Sequence, residues 1–427
     1  MPAFELFFGI VTQLADAILV WGWLLLVFLA MWIAWETYVL LKHIDYVGSI
    51  QWTFFQVTLP DEVTVSPKAF ENAIEVWGGM HKNPDVIGRL FDGYFLAWYS
   101  CESQCIKGLA RYIIVVPTPH AKFIEGVIYG QYPMATVTEV EDYTQEFSYE
   151  DIGKTFDIWG SEIHLVKDDI YPIRTYREFE DSLAEDESYI DPHQALIEAF
   201  TNINEGEHFW VQVMIKPIDA KDIDAWTQKG LDKIAELSGD EKEEAPGFFA
   251  SIGAFLFAIP KELYQVFLTG PLEAESDKQD FNFRIYNPSQ DAEMKGILQK
   301  VQRTGFRTMI RVVHIAPVGK LHKPNYGKAI GAFKQFTSSH LNSFKPDPVT
   351  KTNGPNIVLK HTRRAYRNRA MLFNYQWRDF WGDDSGYMMN AEELATVYHF
   401  PNKYTRSPGI QRAPASGGSP PSNVPYV

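Results

Sequence analysis

Between Lys351 and Arg378 (KTNGPNIVLKHTRRAYRNRAMLFNYQWR) the chain carries Lys351, Lys360, Arg363, Arg364, Arg367, Arg369 and Arg378 and not one acid. Interleaved Tyr366, Phe373, Tyr375 and Trp377 could stack on bases while the cations follow phosphates, the composition of a single-stranded nucleic-acid track. The other reading is an arginine-rich helix that docks on acidic loops of its own chain or on an acidic partner, with its aromatics in the core. The second reading has the edge, because the whole chain has a net charge of −15, which opposes general binding to nucleic acid or to an anionic membrane surface.

Other chemistries find little support. No G-x-x-x-x-G-K-[ST] occurs; Tyr326-Gly327-Lys328-Ala329 is the nearest fragment and lacks the upstream glycine and the magnesium-binding hydroxyl. Cys101 and Cys105 have half of a zinc-site spacing, but no second cysteine pair completes it, and His81 and His120 lack the usual partner spacing. They read as structural cysteines. No G-x-S-x-G elbow and no paired histidines on one helix face are present. Acidic Glu178 to Asp191 lacks the ligand positions and glycine of a calcium loop. The expectation is a non-enzymatic chain with no catalytic, cofactor-binding or metal-binding residues.

The element that must position everything else is Ala17 to Trp35 (AILVWGWLLLVFLAMWIAW), nineteen residues without a charge or a proline. Roughly 20 apolar residues at about 1.5 Å each cross a hydrocarbon layer about 30 Å thick. Trp21, Trp23, Trp32 and Trp35 lie toward its ends, where indole rings favour headgroups. A cleaved signal peptide fits poorly, because residues 1–16 contain Glu5 and Asp16 but no Lys or Arg, and bulky residues follow the run. Lys42 and His43 follow the span, which places the N-terminus outside and the bulk of the chain in the cytoplasm of a single-pass membrane protein. Two cysteines in so long a chain agree with a reducing compartment.

Beyond the anchor, 1–48, the pattern is mixed. Strand-like runs at 49–59, 94–103, 109–116 and 135–140 alternate with helices at 66–81 and 118–131, giving β-α-β-β-α-β, the ferredoxin-like or split β-α-β order, over 49–150. A second α+β domain, 151–350, has strands at 159–166, 208–216 and 307–316 and helices at 191–203, 220–237, 291–303 and 327–336. Ser66-Pro67, Thr118-Pro119 and Asp191-Pro192 each put proline at a helix start. The fold class is α+β: an N-terminal transmembrane helix followed by two ferredoxin-like domains with insertions.

Within the second domain, Phe248 to Leu268 is apolar but split by Pro260, Lys261 and Glu262, so it packs internally or rests on the bilayer. The segment 351–406 combines the basic run with a helix that starts at Asn390, where Glu393 completes a capping box and Pro401 ends it. That helix, through Glu392, Glu393, Leu394 and Tyr398, is either a partner-docking element or packed on the body itself. Residues 407–427, rich in Pro, Ser and Gly, read as a flexible tail.

Several segments occur in a familiar order: SPKA at 66–69, YP at 132–133, EDY at 141–143, YPIRTY at 171–176, DP at 191–192, GAFKQF at 331–336, LNSFKP at 341–346 and NAEELATVYHFP at 390–401. Together they resemble the membrane-anchored domain of unknown function that precedes the motor in HerA-like and conjugative type IV secretion ATPases of candidate-phyla bacteria. The resemblance implies a membrane platform for translocation of DNA or protein. In motor-bearing relatives an ATPase domain follows the stretch equivalent to Ser407–Pro425, so for this sequence the resemblance implies either a separate P-loop ATPase or another secretion-system subunit as partner, or a protein that has kept only the platform. A second copy of the chain is a further possible partner, and DNA is the partner on the alternative reading, a membrane-tethered nucleic-acid-binding module using residues 351–378.

Overall fold

The structure is a computed structural model that describes residues 2–60, 63–79, 88–94, 96–181, 191–201, 203–238, 288–338, 341–353, 359–380, 385–403, 405 and 409–412. The apolar stretch at 248–268 and residues 182–190 of the acidic run at 178–191 lie outside these residues. Helix α1 (Pro2–Ser49) leads into β1 (Trp52–Thr58), α2 (Lys68–Gly78), β2 (Tyr99–Ile106), β3 (Leu109–Pro117), α3 (Ala121–Gln131) and β4 (Thr136–Val140). The second half contains β5 (Phe156–Leu165), α4 (Tyr176–Asp181), α5 (Pro192–Thr201), β6 (His208–Lys216), α6 (Ala220–Ser238), α7 (Pro288–Val301), β7 (Gly305–Pro317), α8 (Lys323–Phe333) and β8 (Phe344–Pro346). Helix α9 (Lys360–Gln376), β9 (Tyr387–Asn390) and α10 (Ala391–Val397) follow.

The nine strands among the described residues join in one antiparallel sheet, ordered β4-β1-β3-β2-β6-β7-β5-β8, with β9 paired to the start of β7. The first four strands have the ferredoxin-like order. The next four repeat it in mirror sense, because β6, β7, β5 and β8 occupy the places of β2, β3, β1 and β4. The halves meet where β2 pairs antiparallel with β6, from Tyr99 opposite Ile215 to Ile106 opposite His208. The two α+β units read from sequence thus share a single sheet. In the second half, α6, α7 and the segment between them stand where the first half has the two-residue turn Lys107-Gly108. That turn needs positive φ at both positions, 51° and 77°, the hairpin geometry that follows strand twist.

The period-two alternation of each strand sends one set of side chains to each face. Phe55, Val57, Ile114, Phe209, Val211, Val213, Ile310 and Val312 point to the face covered by α2, α3, α5, α8 and α10, where the main core lies. On the opposite face, Phe156, Ile158, Trp210, Val313 and Ile315 pack against Met371, Leu372 and Tyr375 of α9. That face also receives the end of α1, whose Tyr46 and Val47, with Trp52, pack against Trp98, Met214, Met309 and Phe380.

Two expected helix starts have the anticipated chemistry. Ser66 Oγ accepts from Lys68 N at 3.4 Å, and Asp191 Oδ1 accepts from His193 N at 2.8 Å with Pro192 at the first helical position. The stretch read as a flexible tail differs at its beginning: Ile410 is buried and bridges Ala110, and Arg412 donates to the carbonyls of Asn402 and Thr405. An apolar side chain and an arginine hold Gly409–Arg412 against β3 before the Pro/Ser/Gly composition takes over.

Candidate membrane and partner interface

Within α1, Gly22–Ser49 has a mean hydropathy of 2.0 over its most apolar stretch, and none of that stretch is buried. It is long and apolar enough to cross a bilayer. Trp23, Trp32 and Trp35 are 57%, 60% and 43% exposed, whereas the side chains of Ala17 and Trp21 lie outside the described set. The exposure of large apolar side chains continues through Leu40, Leu41 and Ile44. The same helix then becomes part of the body. Its Tyr46 ring lies 5.3 Å from Tyr94, and a Cβ at Gly93, where φ is +68°, would collide with the carbonyl of Lys42. Only glycine permits that approach.

Helix α9 carries the basic run. Lys360, Arg363, Arg364 and Arg369 are exposed, and Arg367 is half-buried, donating to the Lys351 carbonyl at 3.2 Å. The aromatics divide: Tyr375 is fully buried, while Tyr366, Phe373 and Trp377 are exposed. Neither sequence reading covers the whole run, because the helix is packed through its second half and open through its first.

Arg378 departs from the other basic residues. It follows the last turn with φ +48°, which swings its side chain inward, away from any external partner. Its guanidinium donates to Glu102 Oε1 at 3.1 Å and to both Asp142 oxygens at 2.7 and 3.0 Å, and lies 4.7 Å from the centre of the Phe54 ring. Burial works to raise the Asp142 carboxyl, and the Arg378 hydrogen bonds and charge override it, holding it below its ordinary value. Gln212 and Tyr143 also donate to Glu102, at 2.9 Å each. Arg311 completes the clamp by donating to Glu162 and to the carbonyls of Asn374 and Asp379 at the C-terminal end of α9, where a cation complements the helix dipole.

The capping box at α10 is present, with Asn390 Oδ1 accepting from Glu393 N and Glu393 Oε2 accepting from Asn390 N. The helix is packed on the body, so Glu392, Glu393, Leu394 and Tyr398 are all buried and offer no docking surface. Glu393 pairs with Lys300 at 3.0 Å, both wholly buried, and accepts from Ile173 N; burial raises its carboxyl despite Lys300. Glu392 pairs with Arg303 and Arg177 and accepts from Thr175 Oγ1. Tyr176 N donates to Thr396, and Tyr176 OH to Glu71. The segments YPIRTY and NAEELATVYHFP therefore bind each other. Asn342 of LNSFKP is buried as well and spans the carbonyls of Lys167, Asp168 and Tyr171. These recognisable segments carry fold, and the reason is that each satisfies backbone groups of another.

Both cysteines are free thiols in the core; burial pushes Cys101 well up and Cys105 up to about 12. Sequence reasoning missed a cluster on the α9 face: Glu162 and His164 alternate on β5 beside Asp347, and their ligand atoms lie within 4.8 Å of one another. An oxygen-nitrogen set of this kind could hold a divalent ion. Arg311 already occupies one Glu162 oxygen, and the Asp347 carboxylate caps Val349 N and Thr350 N. The signal was the E-x-H spacing, which puts both side chains on one strand face.

The class of protein defined by these features is a mixed helix-and-sheet body of nine antiparallel strands carrying an exposed apolar N-terminal helix. The chain belongs to the family described as a domain of unknown function, DUF8128, which matches residues 115–413, from within β3 to just past the bridge at Ile410. No curated protein matches it.

Proposed function

We propose that this protein is a membrane-anchored, non-catalytic platform of a HerA-like or type IV secretion-like translocation system, engaging a P-loop ATPase. The observation that carries the reading is the continuity of α1, a single helix with nothing buried over a span-length apolar stretch that then packs on the sheet through Tyr46 and Val47. Such a joint would hold the body at a fixed height over a bilayer. The order of the segments from SPKA to NAEELATVYHFP supports the kinship with motor-associated domains, and the sequence has no P-loop of its own. Lys42 and His43 favour a cytoplasmic body.

The test is affinity purification of the detergent-solubilised full-length protein from the cells that make it, with mass spectrometry of its companions. Specific recovery of a P-loop ATPase supports the platform. Recovery of nucleic acid with no ATPase overturns it in favour of the second reading, a tethered nucleic-acid-binding module, which the exposed cations of α9 keep open. That module would show affinity falling steeply with salt and lost when Arg363, Arg364, Arg367 and Arg369 become Gln.

A further inference from the structure

The outward side of α9 has an unusual make-up. Tyr366, Phe373 and Trp377 are spaced seven and four residues apart, which places them within about 40° of one another around a helix. They form one stripe, and it is exposed: 73%, 45% and 53%. The buried face, Asn368, Met371, Leu372 and Tyr375, lies opposite. Arg363 and Arg369 flank the stripe, and both are exposed. A solvated helix face normally carries polar residues, whereas an aromatic stripe between arginines is the pattern of a helix lying in a bilayer interface.

Its position identifies the occupant. Phe373, Trp377 and Asp379 at the end of α9 line a cavity of about 400 Å³ together with Ile44, Val47 and Gly48 at the end of α1. Exposed apolar side chains on α1 continue to Leu41 and Ile44, so a span ending near Leu41 leaves this junction about 5–10 Å beyond the hydrocarbon, in the headgroup layer and at its outer edge. Both helices pack on the same face of the sheet, away from α2, α3, α5, α8 and α10. Resting on the reading of α1 as a membrane anchor, we infer that α9 is a second membrane contact, its aromatic stripe seated among headgroups and its arginines paired with anionic lipids. The chain is acidic overall, but residues 351–376 contain no acid, so α9 itself offers only cations to an anionic leaflet, against the exposed Asp45 of α1 and Glu146 and Glu150 of the loop packed beside it.

The full-length protein is reconstituted into vesicles of phosphatidylcholine alone, or of equal parts phosphatidylcholine and phosphatidylglycerol, with an environment-sensitive fluorophore on Tyr366→Cys. Val76→Cys, exposed on α2 across the sheet, is the control, and Cys101 and Cys105 are buried. Quenching by spin-labelled lipid at position 366 is expected to be at least about threefold stronger in the mixed vesicles, absent at position 76, and lost in the R363Q/R364Q/R367Q/R369Q variant. Flotation with both vesicle types reports α1 separately. Flotation with a water-exposed signal at 366 overturns this inference and leaves the anchor standing; failure to float together with that signal overturns both. Shielding of position 366 by single-stranded DNA in place of anionic lipid overturns it in favour of nucleic acid.

Discussion

Glu102 on β2 and Arg378 just after α9 are separated by 276 positions in the chain and meet in the interior, with Arg378 Nε 3.1 Å from Glu102 Oε1. The pair pins the end of the basic helix to the centre of the sheet. The same turn carries Trp377 outward, so this buried contact sets the pose of the exposed stripe.

Removing one partner of such a pair leaves the other charge buried and unpaired, which costs about 3–5 kcal/mol. Arg378→Ala should therefore lower stability far more than Arg364→Ala, which removes an exposed cation and should change it by less than about 0.5 kcal/mol. Urea denaturation of the two variants measures the difference. Equal effects would mean that the Glu102–Arg378–Asp142 network does not hold α9 in place.

The Asn390 cap and the Glu393 carboxylate make a graded pair. Asn390→Ala removes one capping acceptor and should cost about 1 kcal/mol. Glu393→Ala removes the bonds to Asn390 N and Ile173 N and strands Lys300 in the interior, so a loss of about 3 kcal/mol or more is expected. Thermal melts of both variants show whether the order holds.

Acid should weaken the fold before most carboxylates titrate. His193 is buried beside His399, and burial together with that neighbour pushes its pKa down to about 3, against an unfolded value near 6.5. Between these values the unfolded chain binds a proton that the folded one does not, so stability falls as pH drops below about 6.5, by about 1.4 kcal/mol per unit for this group. Burial lowers His208 and His314 as well, adding in the same sense, while the Glu162 hydrogen bond raises His164 and opposes them. Urea midpoints from pH 7 to pH 4 should fall steeply, and His193→Phe should flatten the slope by about one proton.

Gly160 is where β5 admits α9. A Cβ there would lie 2.6 Å from Met371 Cγ and 3.1 Å from the Val312 carbonyl. Gly160→Val should cost about 1–3 kcal/mol through overpacking and raise hydrogen exchange selectively in α9, leaving β1 to β4 protected. Uniform exchange throughout would show that α9 and the sheet open as one unit.

The first half of the fold was readable because its strands are long enough to alternate and its helices follow Ser66-Pro67 and Thr118-Pro119. Strand β8, at three residues, and β9, at four, are too short to show a period, and six-residue α4 shows no stripe. The single sheet was not readable either, since nothing local to β2 or β6 announces that their edges pair. Arg378 looked like the other arginines until its backbone turned it inward. Whether the helix bearing Glu392 and Glu393 docks a partner or packs on the body was left open, because their cations, Arg177, Lys300 and Arg303, come from distant segments. The stripe Tyr366, Phe373 and Trp377 was visible as spacing, but only its exposure shows that it faces outward.

A platform of this kind requires α1 to enter a bilayer, and alkaline carbonate extraction of membranes from the native cells checks that. The full-length protein should remain in the membrane pellet, as a helix with none of its apolar stretch buried in the folded chain requires. Release into the alkaline supernatant, with the chain intact, would contradict the anchor and the platform built on it.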